Sequence, residues 1–177
     1  MLNIKKTKEL IFDFRLKDNE HDDIIIKGEK VEKVNEYKYL GIIFDKFLEW
    51  HAQAAKVLKS MNQRMYFMRK LHSYHLDTTI LSLFFTSCVK SIMCFCMTAW
   101  GGNNRENEKR RVNRCLKSAS KMLRCDTYES FDDVFENLCK KKLDNILKEN
   151  THPLYPQIKR SVKSGGILHL SASTQIF

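Results

Sequence analysis

The spacing of apolar residues changes near residue 48, and this change constrains the fold more than any other feature of the sequence. Before it, apolar and polar residues alternate in short runs such as 8–15 and 37–44, which is typical of strands. After it, apolar residues recur every three or four positions from Trp50 to Leu71, which is typical of an amphipathic helix. The sequence therefore predicts an α+β chain, with a small N-terminal antiparallel β element at residues 8–44 followed by a mainly α-helical bundle.

The β element is expected to contain three or four strands. A β-branched run, Ile24 to Ile26, precedes Lys27-Gly28-Glu29, which is a plausible hairpin turn because glycine readily adopts positive φ. The run from Tyr37 to Phe44 predicts a further strand. So small a sheet would bury too little surface to be stable alone.

The helical spacing predicts four helices, which begin near Leu48, Asp77, Glu106 and Phe131. Asp77 is a candidate N-cap, and Gly101-Gly102 predicts the end of the second helix. We expect a β segment at 1–47, a helical region at 48–150 and a partly disordered tail at 151–177.

The segment from Ile80 to Trp100 is long and apolar and contains a single charge, Lys90. Its length is that of a membrane span, but it includes several hydroxyl side chains and its flanks lack an anchoring pattern. We expect a helix buried on most sides of a core rather than a membrane partner.

The chain carries a net charge of +10, which favours a polyanionic partner. No acidic residue lies between His51 and Leu76, although solvated helix faces usually mix signs. The basic residues of this helix are Lys56, Lys59, Arg64, Arg69 and Lys70. The stretch 105–124 carries eight basic residues against two acidic ones. These patterns predict contact with a nucleic-acid backbone; a helical protein-interaction module is the competing interpretation.

The six cysteines form no C-x-x-C pair, so we expect free, buried thiols in a reducing compartment. The first residues, Met1 to Lys6, run into charge, which predicts an intracellular protein, nuclear or cytoplasmic, rather than a secreted one.

Catalytic motifs are scarce. No G-x-S-x-G, Walker loop or H-E-x-x-H occurs. The short H-x-D pattern of iron sites occurs twice, at His21 and His75, and two acidic pairs, Asp22-Asp23 and Asp132-Asp133, are metal candidates of low specificity. We expect neither a metal nor a cofactor.

Four strings in order resemble the end of the palm, the primer grip and the thumb-like region of non-LTR (LINE-type) retrotransposon reverse transcriptases. They are Asn3 to Thr7, similar to the family's N-x-x-K-T segment, then Tyr37 to Gly41, Trp100 to Gly102 and His152 to Tyr155. The resemblance extends from residue 1 to about 160.

This resemblance implies that Lys6 is a vestigial proton donor near the incoming nucleotide. It implies that the hairpin residues Tyr37, Lys38, Tyr39, Leu40 and Gly41 support a primer strand, and that the helices after residue 48 hold the template–primer duplex. The family's catalytic aspartates precede N-x-x-K-T, and no F/Y-x-D-D string occurs here. We therefore expect a truncated RNA-directed DNA polymerase fragment, inactive alone, that binds RNA or DNA duplex by its phosphates. The missing palm and fingers of a complete enzyme are a second expected partner.

Residues 1–45 also resemble the segment catalogued as the N-terminal domain of alkylated DNA repair protein AlkB homologue 8. This resemblance implies a link to 2-oxoglutarate-dependent dioxygenase or methyltransferase activity. A glycine-rich turn and a paired-arginine motif are not apparent, so we expect neither activity in the isolated chain.

Overall fold

The structure, a computed structural model, describes residues 3–15 and 21–163. The chain divides into two compact units, Met1–Ala54 and Ala55–Phe177. The described part of the first contains short strands, and that of the second is almost entirely helical. The α+β class predicted from the change in apolar spacing is confirmed.

Within the described residues, six short strands form three separate pairs. The strands are β1 (Lys8–Glu9), β2 (Ile25–Ile26), β3 (Glu29–Lys30), β4 (Glu32–Lys33), β5 (Glu36–Tyr39) and β6 (Ile42–Asp45). The pair β1–β4 is parallel, and the pairs β2–β3 and β5–β6 are antiparallel. The predicted small N-terminal β element with antiparallel pairing is confirmed. The run 8–15 contributes less to it than expected, because it pairs over two residues only. Beyond them, the Asp13 carboxylate accepts hydrogen bonds from Arg15.

Two tight turns join the antiparallel pairs. Lys27 and Gly28 have φ of 52° and 80°, and Leu40 and Gly41 have φ of 45° and 90°. Positive φ at both central residues is the hairpin turn that matches strand twist. The first turn confirms the prediction at Lys27-Gly28, whereas the second divides the predicted strand 37–44 into β5 and β6.

Two polar side chains organise the entry to the first helix. The Asp45 carboxylate accepts hydrogen bonds from the backbone N–H groups of Phe47, Glu49 and Trp50, at 3.1, 2.9 and 2.8 Å. Buried Gln53 accepts one from the N–H of Ile43 at 3.0 Å. These bonds hold the start of the helix to β6.

The helices begin at the predicted places. The first helix, α1 (His51–Ser73), continues into the second unit, where Met61, Met65 and Met68 are buried. These three methionines therefore contribute to core packing. The other helices are α2 (Thr78–Phe84), α3 (Ser91–Cys94), α4 (Met97–Trp100), α5 (Glu106–Met122), α6 (Phe131–Lys148) and α7 (Tyr155–Lys163).

The apolar segment is not one regular helix. Asp77 caps α2 by accepting from the N–H of Thr79 at 2.6 Å, as predicted. A π-helical stretch, Phe85–Lys90, then separates α2 from α3, and Cys96, with φ of 50°, separates α3 from α4. A short 3₁₀ turn, Gly101–Asn103, follows α4.

Burial in this segment is confined to a narrow stripe. By length and composition alone, Thr78–Asn103 could cross a membrane. Core helices of soluble proteins share this property, but they are mostly buried, whereas only 22% of the most apolar window of this segment is buried. The expectation of a helix buried on most sides was wrong, because residues outside the stripe, such as Leu83 and Phe95, are exposed. The stripe consists of Leu81, Val89, Met93, Met97 and Trp100.

The last helix lies in the segment 151–177, for which a partly disordered tail was predicted. Within that segment α7 forms and packs on α6, and the prediction for the segment as a whole stays a prediction. Pro156 lies in the first turn of α7, where its missing N–H costs little. The rest of that tail, residues 164–177, lies outside the described residues.

Candidate nucleic-acid interface

The predicted basic residues of α1 do not form one stripe. Lys59, Arg69 and Lys70 are exposed, and Arg64 is half-buried. Arg64 and Arg69 are five residues apart, which places them about 140° apart around the helix axis. They therefore flank the buried methionine face on opposite sides.

Arg69 lies on the side where α1 meets α5. There the two helices border an open cleft of about 290 Å³. The lining contains three arginines and no acidic residue. We call this site the arginine cleft; its lining residues are Leu58, Asn62, Met65, Arg69, Arg111, Arg114, Cys115 and Ser118.

Arg111 and Arg114 were not among the predicted site residues. The sequence signal that could have found them is the basic stretch 105–124, of which both are part. They lie three positions apart on α5, so both reach the same face of that helix. Packing α5 against α1 brings them to Arg69.

The cleft is lined by apolar groups and by hydrogen-bond donors. Leu58 and Met65 are almost fully buried and form its inner side. The Cys115 thiol donates a hydrogen bond to Oδ1 of Asn62 at 3.1 Å. The amide nitrogen of Asn62 is thereby left available to donate to a ligand. Burial raises the pKa of Cys115, against the opposing effect of the Arg69 and Arg111 charges. This thiol is therefore neutral near pH 7.

Within the described part of the chain, the three guanidinium groups lack carboxylate partners. Across residues 3–15 and 21–163, no ion pair joins an acidic side chain to Arg69, Arg111 or Arg114. Other cations of the same unit are compensated: Lys109 lies 2.9 Å from Asp132, and Lys90 pairs with Glu129. Positive charge that is uncompensated and shared by guanidinium groups is suited to binding an oxyanion.

Of the residues predicted from the reverse-transcriptase resemblance, Lys6 and the hairpin residues lie in the first unit. Lys6 ends an exposed 3₁₀ turn, Ile4–Lys6. Tyr37 to Gly41 form β5 and its turn, with Tyr39 and Leu40 well exposed. The α1 residues, from Lys56 to Lys70, lie in the second unit with the arginine cleft.

The two H-x-D patterns have structural roles. His21 lies 3.0 Å from Asp13, and Asp23 pairs with Lys30, whose hydrogen bond lowers the pKa of that carboxyl. Asp77 is engaged in capping α2. Neither pattern has a third metal ligand beside it in the described chain.

The acidic pair at the start of α6 is also structural. Asp132 pairs with Lys109, and Asp133 forms a reciprocal capping box with Ser130. In the part of the chain that the structure describes, no group of three or more His, Cys, Asp or Glu side chains could hold a metal ion.

All six cysteines lie within described segments and are free thiols. Cys96 and Cys125 are exposed and the other four are partly exposed, so the expectation of buried thiols was wrong. Cys96 is exposed because the chain breaks between α3 and α4, which removes it from the buried stripe.

Residues 50–91 match the family model described as alkylated DNA repair protein alkB homolog 8, N-terminal. No curated protein and no solved structure matches the chain. The predicted resemblance to this family is thus supported, but over α1 to the end of the π-helical stretch rather than over 1–45. The reverse-transcriptase resemblance receives no support and stays a prediction. The chain is similar, over less than half its length, to the N-terminal region of an alkylated DNA repair protein, and the matched segment includes the α1 side of the arginine cleft.

Proposed function

We propose that the helical unit binds nucleic acid without sequence preference, through the phosphate backbone, and that the arginine cleft is the main contact. The observation that carries this proposal is the convergence of Arg69, Arg111 and Arg114 with no facing carboxylate. In this proposal the isolated chain binds nucleic acid and does not catalyse a reaction on it.

Arginine suits this role better than lysine. Its planar guanidinium group donates two parallel hydrogen bonds to phosphate oxygens and is always charged. Each neutralised phosphate also releases condensed counterions, which supplies most nonspecific affinity. The net charge of +10 would add long-range attraction for any polyanion.

Two origins lead to the same binding activity. A reverse-transcriptase fragment would use α1 to hold template and primer. The matched family is that of a DNA repair protein, and DNA repair also implies a nucleic-acid partner. The arginine cleft supports binding under either origin.

The proposal is tested by fluorescence anisotropy with labelled single-stranded and duplex oligonucleotides at low salt. Two charge-assisted contacts are lost in the Arg111→Gln/Arg114→Gln variant, so we expect affinity to fall at least about tenfold. The matched control, Lys141→Gln/Lys142→Gln, removes the same charge from exposed positions of α6. Equal affinity of the two double variants would contradict the proposal.

The family match also favours a second candidate, a 2-oxoglutarate-dependent oxygenase activity, because His75 and Asp77 lie inside the matched segment. The capping role of Asp77 argues against it. Succinate release from 2-oxoglutarate with Fe(II) distinguishes the two. We expect none above background, whereas release that disappears in His75→Ala would favour the enzyme.

A further inference from the structure

We infer that the arginine cleft is a receptor for a phosphate monoester at the end of a nucleic-acid strand. This inference rests on the proposed function and specifies its ligand. An internal phosphodiester, which supplies general backbone affinity, would occupy the same cleft less well.

The charge of the cleft favours a phosphate monoester over a phosphodiester. A phosphodiester carries one negative charge, whereas a phosphate monoester carries about 1.5 to 2 near pH 7. Arg69, Arg111 and Arg114 line one small cleft without a carboxylate and repel one another. The monoester offsets more of this repulsion.

The size of the cleft favours the end of a strand. Its volume, about 290 Å³, is close to the lower limit for small-molecule sites, about 300 Å³. Leu58 and Met65 close its inner side. A terminal phosphate with its nucleotide would fit a cleft of this size, whereas a continuing strand would have to extend beyond it on both sides.

The hydrogen-bond donors of the cleft also favour a terminal phosphate. A terminal phosphate has three free oxygens, one more than an internal phosphodiester. Donors come from both helices: Arg69 and the Asn62 amide nitrogen from α1, and Arg111, Arg114 and the Ser118 hydroxyl from α5. A group with three acceptor oxygens can engage both sides at once.

The test uses the full chain and three otherwise identical oligonucleotides, with a 5′-phosphate, a 3′-phosphate or hydroxyls at both ends. We expect one phosphorylated oligonucleotide to bind about tenfold more tightly than the hydroxyl form, since charge-assisted bonds are gained. The arm that shows the preference identifies which end is bound. Arg111→Gln and Arg114→Gln should each remove the preference. Arg110→Gln should keep it, because Arg110 does not line the cleft.

A pH series provides a second readout, because the preference compares two oligonucleotides on the same protein at each pH. The second pKa of a monoester is near ~6, so the preference should grow between pH 5 and 7.5. Arginine does not titrate there, and Cys115, the other titratable lining residue, has its pKa raised above 9.0.

The outcomes separate the two proposals. Equal affinity for all three oligonucleotides, weakened alike by Arg111→Gln/Arg114→Gln, would overturn the inference and leave backbone binding intact. Absence of binding to every oligonucleotide at low salt would overturn both.

Discussion

Replacing Gly101 with alanine should destabilise the helical unit by steric overlap alone. Gly101 is buried and has ordinary helical angles, φ −70° and ψ −25°, so alanine brings no backbone strain. The added Cβ, however, would lie 2.6 Å from Cδ2 of Phe135 and 3.2 Å from Cγ of Met97. Helix α4 packs on α6 at this point, so the Phe135 ring must shift to accommodate the added methyl group.

The magnitude follows from two opposing effects. Overpacking a core costs about 1–3 kcal/mol, and the higher helix propensity of alanine returns up to ~1 kcal/mol. We expect a net loss of about 1–2 kcal/mol, which lowers Tm by roughly 2–8 °C in a chain of this size. Urea denaturation followed by far-UV circular dichroism measures the free energy of unfolding directly.

Gly102→Ala is the matched control. Its Cβ would lie 3.5 Å from Phe135, an ordinary contact, so we expect stability close to that of the native chain. If Gly101→Ala were as stable as Gly102→Ala, the described packing of α4 on α6 would be refuted.

Three further predictions concern other elements. Asp45→Ala removes the acceptor of three backbone N–H groups at the start of α1. It should lower the free energy of unfolding by about 1.5–3 kcal/mol, measured by urea denaturation. An unchanged free energy of unfolding would contradict the role of Asp45 at the start of the helix. The Ser130 side-chain and backbone hydrogen bonds hold the pKa of Asp133 below its ordinary 3.8, so this carboxylate stabilises the fold above that pH. That contribution is lost as pH falls through the lowered pKa. Thermal melts between pH 2 and 7 should therefore show a smaller decrease of Tm with acid in Ser130→Ala than in the native chain. An equal decrease of Tm in both would count against the capping box. Charge reversal at Lys59 and Arg64 should weaken oligonucleotide binding in anisotropy titrations less than Arg111→Gln/Arg114→Gln does, because neither Lys59 nor Arg64 lines the cleft. A larger effect would move the interface to the outer face of α1.

Helix positions could be predicted where a cap and a regular apolar spacing agree. Asp77 and the stretch 131–148 are examples, because Asp77 supplies a side-chain acceptor and Ser130 with Asp133 closes the start of α6. The break at Cys96 could not be predicted, because neither glycine nor proline marks it. The sheet pairings were equally hidden, since β1 and β4 are two residues long and far apart in sequence.

The candidate site was only partly predictable. Arg69 belongs to a helix without acidic residues, and this local signal singled it out. Arg111 and Arg114 lie in a second basic stretch whose relation to α1 depends on tertiary packing. Composition indicates a polyanionic partner, but only the fold brings three of the cations together.

The salt dependence of duplex binding tests the central claim most directly. Log Kd should vary linearly with log salt concentration, and each phosphate contact contributes about 0.9 to the slope. Loss of two contacts in Arg111→Gln/Arg114→Gln should reduce the slope by about 1.8, with no change in Lys141→Gln/Lys142→Gln. A slope in the arginine variant equal to that of the native chain would contradict phosphate binding in the arginine cleft.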